Sequence, residues 1–114
     1  MYRCTDGVEH LTPTFPTDLI SVLSALEDEQ AMARLLRDLF TPSEVDAIGE
    51  RWAIVKHLAK GQSQRAVRDE LGVSIGTVSR GARQLKYGED GFAAAFALLG
   101  ELGLGDPRSE DEAS

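Results

Sequence analysis

The side chains best suited to meeting a partner are clustered between residues 64 and 86. Gln64, Arg65 and Arg68 come first; Gly76, Thr77, Ser79, Arg80, Arg83, Gln84 and Lys86 follow. Guanidinium and ammonium groups neutralise phosphates, amides and hydroxyls pair with base edges, and small residues let a backbone approach closely. No nucleophile, base and orienting group occur together, and there is no phosphate-cradling glycine loop, so the chemistry on offer is recognition and no catalytic residue is assigned.

The apolar residues between these positions say how they are held. Val67 and Leu71 are four apart and share one face of a helix. Gly72 follows at the helix end, where a positive φ is commonly needed, and Val73 can fill the corner. Ser74 is a good N-cap, and Ile75, Val78, Ala82 and Leu85 repeat at helical steps behind it. Residues 63–86 therefore read as a helix-turn-helix, whose second helix enters the major groove of DNA in the usual form of that motif. The plainer alternative is a helical hairpin with a solvated basic face.

Charge is partitioned in the same way. The 114 residues carry a net −7, which alone argues against nucleic acid. Yet residues 51–86 hold eight basic side chains and two acidic ones, against four and seventeen in the remainder. Acidic flanks that repel DNA everywhere but one face would enforce orientation; they also serve simply as solubilising surface.

The length fits one domain, and the hydrophobic share of 42% supports a small core. No apolar run approaches membrane-spanning length, and no signal-peptide segment opens the chain, so no membrane partner is expected. Cys4 is the one cysteine, which excludes an intrachain disulfide and points to a reducing, cytoplasmic setting. Cys4, His10 and His57 lack ligand spacing, so no metal is expected.

The rest of the chain reads as all-α, with about six helices. Residues 1–15 read as a mobile arm and 104–114 as a disordered acidic tail, leaving one helical domain over 16–103. A first helix opens at Pro16-Thr17-Asp18 and runs to about Leu26; a second starts in the acidic turn Glu27-Asp28-Glu29 and ends near Phe40. Thr41-Pro42-Ser43-Glu44 is a helix start, with Thr41 as cap, Pro42 first in the helix and Glu44 closing a capping box. The long helix it opens carries Val45, Ile48, Trp52, Val55 and Ala59 at helical spacing and ends at Gly61. After a turn at residues 87–91, Phe92 to about Leu102 form a helix apolar nearly all round. Such a helix must be buried on several sides. A homodimer that shares its core is the economical solution, and two-fold readers match two-fold DNA sites; a monomer that covers the helix itself is the alternative.

From Leu39 to Lys86 the chain resembles the bacterial Trp repressor family, through TPSE at 41–44, GER at 49–51, SQR at 63–65 and SRG at 79–81. The resemblance implies an intertwined helical homodimer that represses transcription by binding operator DNA when L-tryptophan, the corepressor, is bound, acting on a tryptophan biosynthesis or transport operon. It implies a ligand pocket in which Arg51 and Arg80 sandwich the indole and Arg80 also pairs with the carboxylate. Phe40 and Thr41 would hold the polar end, Val55 and Gly81 would be walls, and Gln84 would lie at the amino group. A planar guanidinium stacks well on an aromatic face. It assigns DNA contacts to Gln64, Arg65, Arg68, Ile75, Gly76, Thr77 and Ser79, with Lys86 on the backbone; Arg83 joins them as an outward cation.

The chain departs from the family pattern at several positions. Gln84 stands where a serine is usual, Asp38 where an apolar residue is usual, Arg68 for lysine and Gly76 for alanine. The segment LKYGEDGF is more like a second branch of small regulators. Two alternatives follow: a regulator of the same superfamily that does not use tryptophan, and a helix-turn-helix that docks an acidic protein.

Overall fold

The computed structural model describes residues 14–109, and the described residues are all-α, as expected. Six helices follow in order: α1 (Thr17–Ala25), α2 (Glu29–Leu39), α3 (Pro42–Ala59), α4 (Gln64–Leu71), α5 (Ile75–Tyr87) and α6 (Gly91–Glu101). The arm expected over residues 1–15, with Cys4 and His10, lies outside the described residues, except for Thr14 and Phe15, which are exposed.

The chain divides after Thr41 into two units. In the first, α2 starts where Asp28 caps it, its carboxylate accepting the Gln30 N–H at 3.1 Å. Acidic Glu29 follows in the first turn and Arg37 stands in the last, both favourable to the helix dipole. Neither α1 nor α2 buries a residue; Ile20, Val22 and Leu39 are each close to half exposed.

In the second unit Pro42 begins α3, where its missing N–H costs nothing. Every residue from Pro42 to Arg51 is exposed, including Val45 and Ile48, whereas the later part of α3 buries Ile54 and Val55. Ile54 joins Val67 of α4 and Val78 of α5 in one core, with Leu58, Leu71 and Val73 packed around it. Gly81 lets α5 cross α3 closely: a methyl at that position would stand 2.8 Å from Ile54 Cγ2 and 3.8 Å from Val55 Cγ1.

The apolar α6 buries only Phe96 among its residues, and Leu98 and Leu102 are 52% and 62% exposed. Phe96 and Phe92 gather with Trp52 of α3, ring centroids 5.8 to 6.4 Å apart. Residues 104–109, the first part of the expected acidic tail, are among the described residues. Positive φ at Gly103 and Gly105 bends the chain, and Asp106 accepts the Arg108 backbone N–H at 2.9 Å. The Arg108 guanidinium grips the same carboxylate with two further bonds and lies 5.8 Å over the Phe96 ring, while Pro107 is buried. Those hydrogen bonds hold the Asp106 carboxyl below the ordinary aspartate value. Acidic composition hid this, because a bidentate pair and a proline contact depend on where the turn delivers them.

Candidate nucleic-acid interface

Two helices and a tight turn carry the candidate interface. Ser63 caps α4, its hydroxyl accepting the Ala66 N–H at 3.1 Å, and Gly72 ends it at φ 70°. Ser74 caps α5 by accepting the Thr77 N–H at 3.1 Å, and its hydroxyl also meets Thr77 Oγ1 at 2.8 Å. Local signals thus set both helix starts and the bend between them, as the residue types require.

Packing then sorts the faces. Val67 and Val78 are fully buried, so the opposite side of each helix is left outward. Gln64, Arg65, Gly76, Arg83 and Lys86 are exposed, and Arg68, Thr77 and Ser79 are half-buried. Ile75, placed by spacing on the inner stripe, is 42% exposed at the start of α5. At Gly76 an added methyl would find only Ser74 Oγ, at 3.9 Å, so packing within the chain does not demand glycine there.

Several of these side chains already have partners. Ser79 donates to Gln64 Oε1 at 3.0 Å, which ties the first residue of α4 to α5 and leaves the Gln64 amide nitrogen for an acceptor. Arg68 is paired with Asp69 at 2.9 Å, and Lys86 lies 5.4 Å over the Tyr87 ring. Replacing Asp69 by asparagine removes an anion beside Arg68. Because exposed pairs are weak, a modest gain in duplex DNA affinity, about threefold, is expected in a fluorescence-anisotropy titration.

The ligand-pocket candidates are distributed differently. Phe40 and Thr41 belong to the first unit, and the other five to the second. Val55 is fully buried and Gly81 buried, so both are part of the crossing between α3 and α5. Arg51 stands one turn before Val55 on the same side of α3, and Arg80 adjoins Gly81. Both arginines are exposed, one on each helix of the crossing. Gln84 is exposed and lines a cavity of about 240 Å³ with Ala59, Leu85, Phe92, Phe96 and Arg108, among others; Arg51 and Arg80 do not line it.

Sequence reasoning did not single out Gln62 or Glu70, which join His57 in a hydrogen-bonded set at the entrance to α4. The available signal was the glycine that ends α3, because that type of helix end brings the side chains around it together. No helix among the described residues is long and apolar enough to cross a membrane.

Comparison with known proteins agrees with this geometry. The family model described as Trp repressor protein matches residues 17–99, from α1 into α6. A Bacillus subtilis (strain 168) protein, the uncharacterized YerC, is 30% identical over 73% of this chain and 80% of its own. A Trp operon repressor homolog of Vibrio cholerae serotype O1 is 40% identical over 68% of this chain and 76% of its own, and one of Vibrio campbellii 36% identical over 63% and 73%. No solved structure matches. With six helices in order, a capped helix-turn-helix and a family match spanning nearly all of them, the chain belongs to the Trp repressor family of transcription regulators.

Proposed function

We propose that the chain is a sequence-specific DNA-binding repressor, that it acts as a homodimer, and that L-tryptophan is its corepressor at a tryptophan biosynthesis or transport operon. One observation carries the DNA reading: the α4–α5 unit turns its valines into the core and leaves Arg65, Gly76, Arg83 and Lys86 outward. The cations would hold phosphates, and Gln64, Thr77 and Ser79 would lie toward the groove. The dimer is supported by apolar surface: Ile20, Val22, Leu39, Val45, Ile48, Leu98 and Leu102 are all at least one-third exposed.

L-Tryptophan would lie between Arg51 and Arg80, with Val55, Gly81 and Gln84 around it. Two exposed guanidinium groups on the two helices of one crossing suit a planar ring and a carboxylate. The ligand would act by binding the DNA-competent arrangement of α4–α5 more tightly than any other. A second reading, a DNA-binding regulator of the same family without tryptophan, is favoured by one residue: Gln84 is longer than the serine usual there.

Calorimetric titration with L-tryptophan, repeated on Gln84→Ser, separates these readings. Saturable heat that strengthens in Gln84→Ser is the expected result. No heat from either protein at millimolar ligand would remove the corepressor. Duplex DNA binding that does not weaken as salt rises would remove the DNA reading, since phosphate contacts release counterions.

A further inference from the structure

We propose that His57, Gln62 and Glu70 form a polar latch that fixes the rotation of α4 against α3, making Gln62 a positioning residue for DNA binding. The inference rests on the DNA-binding reading above.

The latch begins with how α3 ends. Gly61 takes φ 101°; its N–H bonds to Leu58 O at 2.9 Å, and the Gln62 N–H to His57 O at 3.4 Å. This pair of bonds brings the residues five apart, 57 and 62, side by side, where two apolar side chains usually meet. Here they are histidine and glutamine, and Nδ1 of His57 lies 2.6 Å from Gln62 Oε1. The Gln62 amide nitrogen is then free to reach across the turn, and it donates to Glu70 Oε1 at 3.2 Å. Glu70 Oε1 itself lies 3.9 Å from His57 Nδ1.

The orientation of the glutamine follows from its neighbours. Turning its amide over would set Oε1 against the Glu70 carboxylate, oxygen to oxygen. Gln62 Oε1 therefore faces the histidine, and Nδ1 must carry the hydrogen.

Packing explains why α4 needs such a device. The helix has eight residues, and Val67 is its one buried side chain. Val67, with the half-buried Leu71 one turn on, anchors one stripe of α4 to the core, and polar ties add restraint on how the helix rolls about that stripe. Two ties do so: Ser79–Gln64 joins the start of α4 to α5, and Gln62–Glu70 joins its last turn to the end of α3. Arg65 and Arg68 ride on the helix so held.

The test compares Glu70→Ala with Glu70→Gln in the full chain. Both remove one negative charge, so their difference isolates the hydrogen bond; Gln62→Ala and the Gln62→Ala/Glu70→Ala pair complete the set. Amide exchange in α4 should quicken by about three- to tenfold in Gln62→Ala and Glu70→Ala, but not in Glu70→Gln. Affinity for a duplex enriched from a random pool by the unaltered protein should fall by a similar factor in Glu70→Ala relative to Glu70→Gln. The pair should lose no more than Gln62→Ala alone, because one interaction is being removed twice. In nitrogen-15 spectra the neutral His57 ring should carry its hydrogen on Nδ1, and lose that preference in Gln62→Ala.

Equal α4 exchange in Glu70→Ala and Glu70→Gln, or equal DNA affinity of the two, overturns the latch. If exchange responds as stated but even the unaltered protein enriches no duplex, the proposed DNA function falls and the tie between α3 and α4 stands.

Discussion

Gly81→Val is expected to destabilise the fold by about 2–3 kcal/mol in urea unfolding, although it removes a glycine from the middle of a helix. Two effects oppose each other at this position. Valine is a better helix former than glycine, by about 0.4 kcal/mol, and alanine by about 1 kcal/mol. Against that, the first added carbon would lie 2.8 Å from Ile54 Cγ2, a separation that forces movement. Ile54 is only 1% exposed and sits against Val67 and Val78, so it has no free space to enter. Overpacking a core of this kind costs about 1–3 kcal/mol, so Gly81→Ala should lose about 1 kcal/mol net and valine, with two more methyls, the larger amount. Ile54→Leu moves the branch point away from Cβ, and the Gly81→Ala/Ile54→Leu pair should be more stable than the sum of the two changes implies. Strict additivity would show that Gly81 is not a contact between α3 and α5. The loss would also reach function, since α5 carries Thr77, Ser79 and Arg80 on the helix that Gly81 seats.

Arg65→Ala/Arg68→Ala should weaken duplex DNA binding by about fifty- to a hundredfold at ~0.1 M salt, and lower the slope of log affinity against log salt by about two. The estimate takes one phosphate contact for each guanidinium, at roughly tenfold each. Stability should barely change, because Arg65 is exposed and Arg68 is paired with the neighbouring, exposed Asp69. Arg34→Ala/Arg37→Ala is the control: two exposed arginines of α2, the same change in net charge, but outside the α4–α5 unit. Matching losses from both pairs would mean that only overall charge matters. No loss from Arg65→Ala/Arg68→Ala would leave the basic face to some other partner, such as an acidic protein.

Much of the architecture could be read from residue order because the forces that set it are local. Ser63 and Ser74 cap the helices after them, Gly61 and Gly72 adopt positive φ, and Pro42 opens α3, each within a few residues of its effect. The inward valines and outward arginines of α4 and α5 were legible for the same reason: helical period alone separates the two faces. Other features join residues far apart along the chain, and periodicity cannot choose among such pairings. That Gly81 lies against Ile54, that Trp52 meets Phe92 and Phe96, and that Ile75 stays 42% exposed depend on how α5 and α6 cross α3. The placing of Arg108 over Phe96 and the bridge from His57 through Gln62 to Glu70 belong to that class too. Short-range hydrogen bonding and hydrophobic period wrote the helices and their faces into the chain, while the close approaches, aromatic contacts and polar ties waited on packing, where one side chain's place depends on all its neighbours at once.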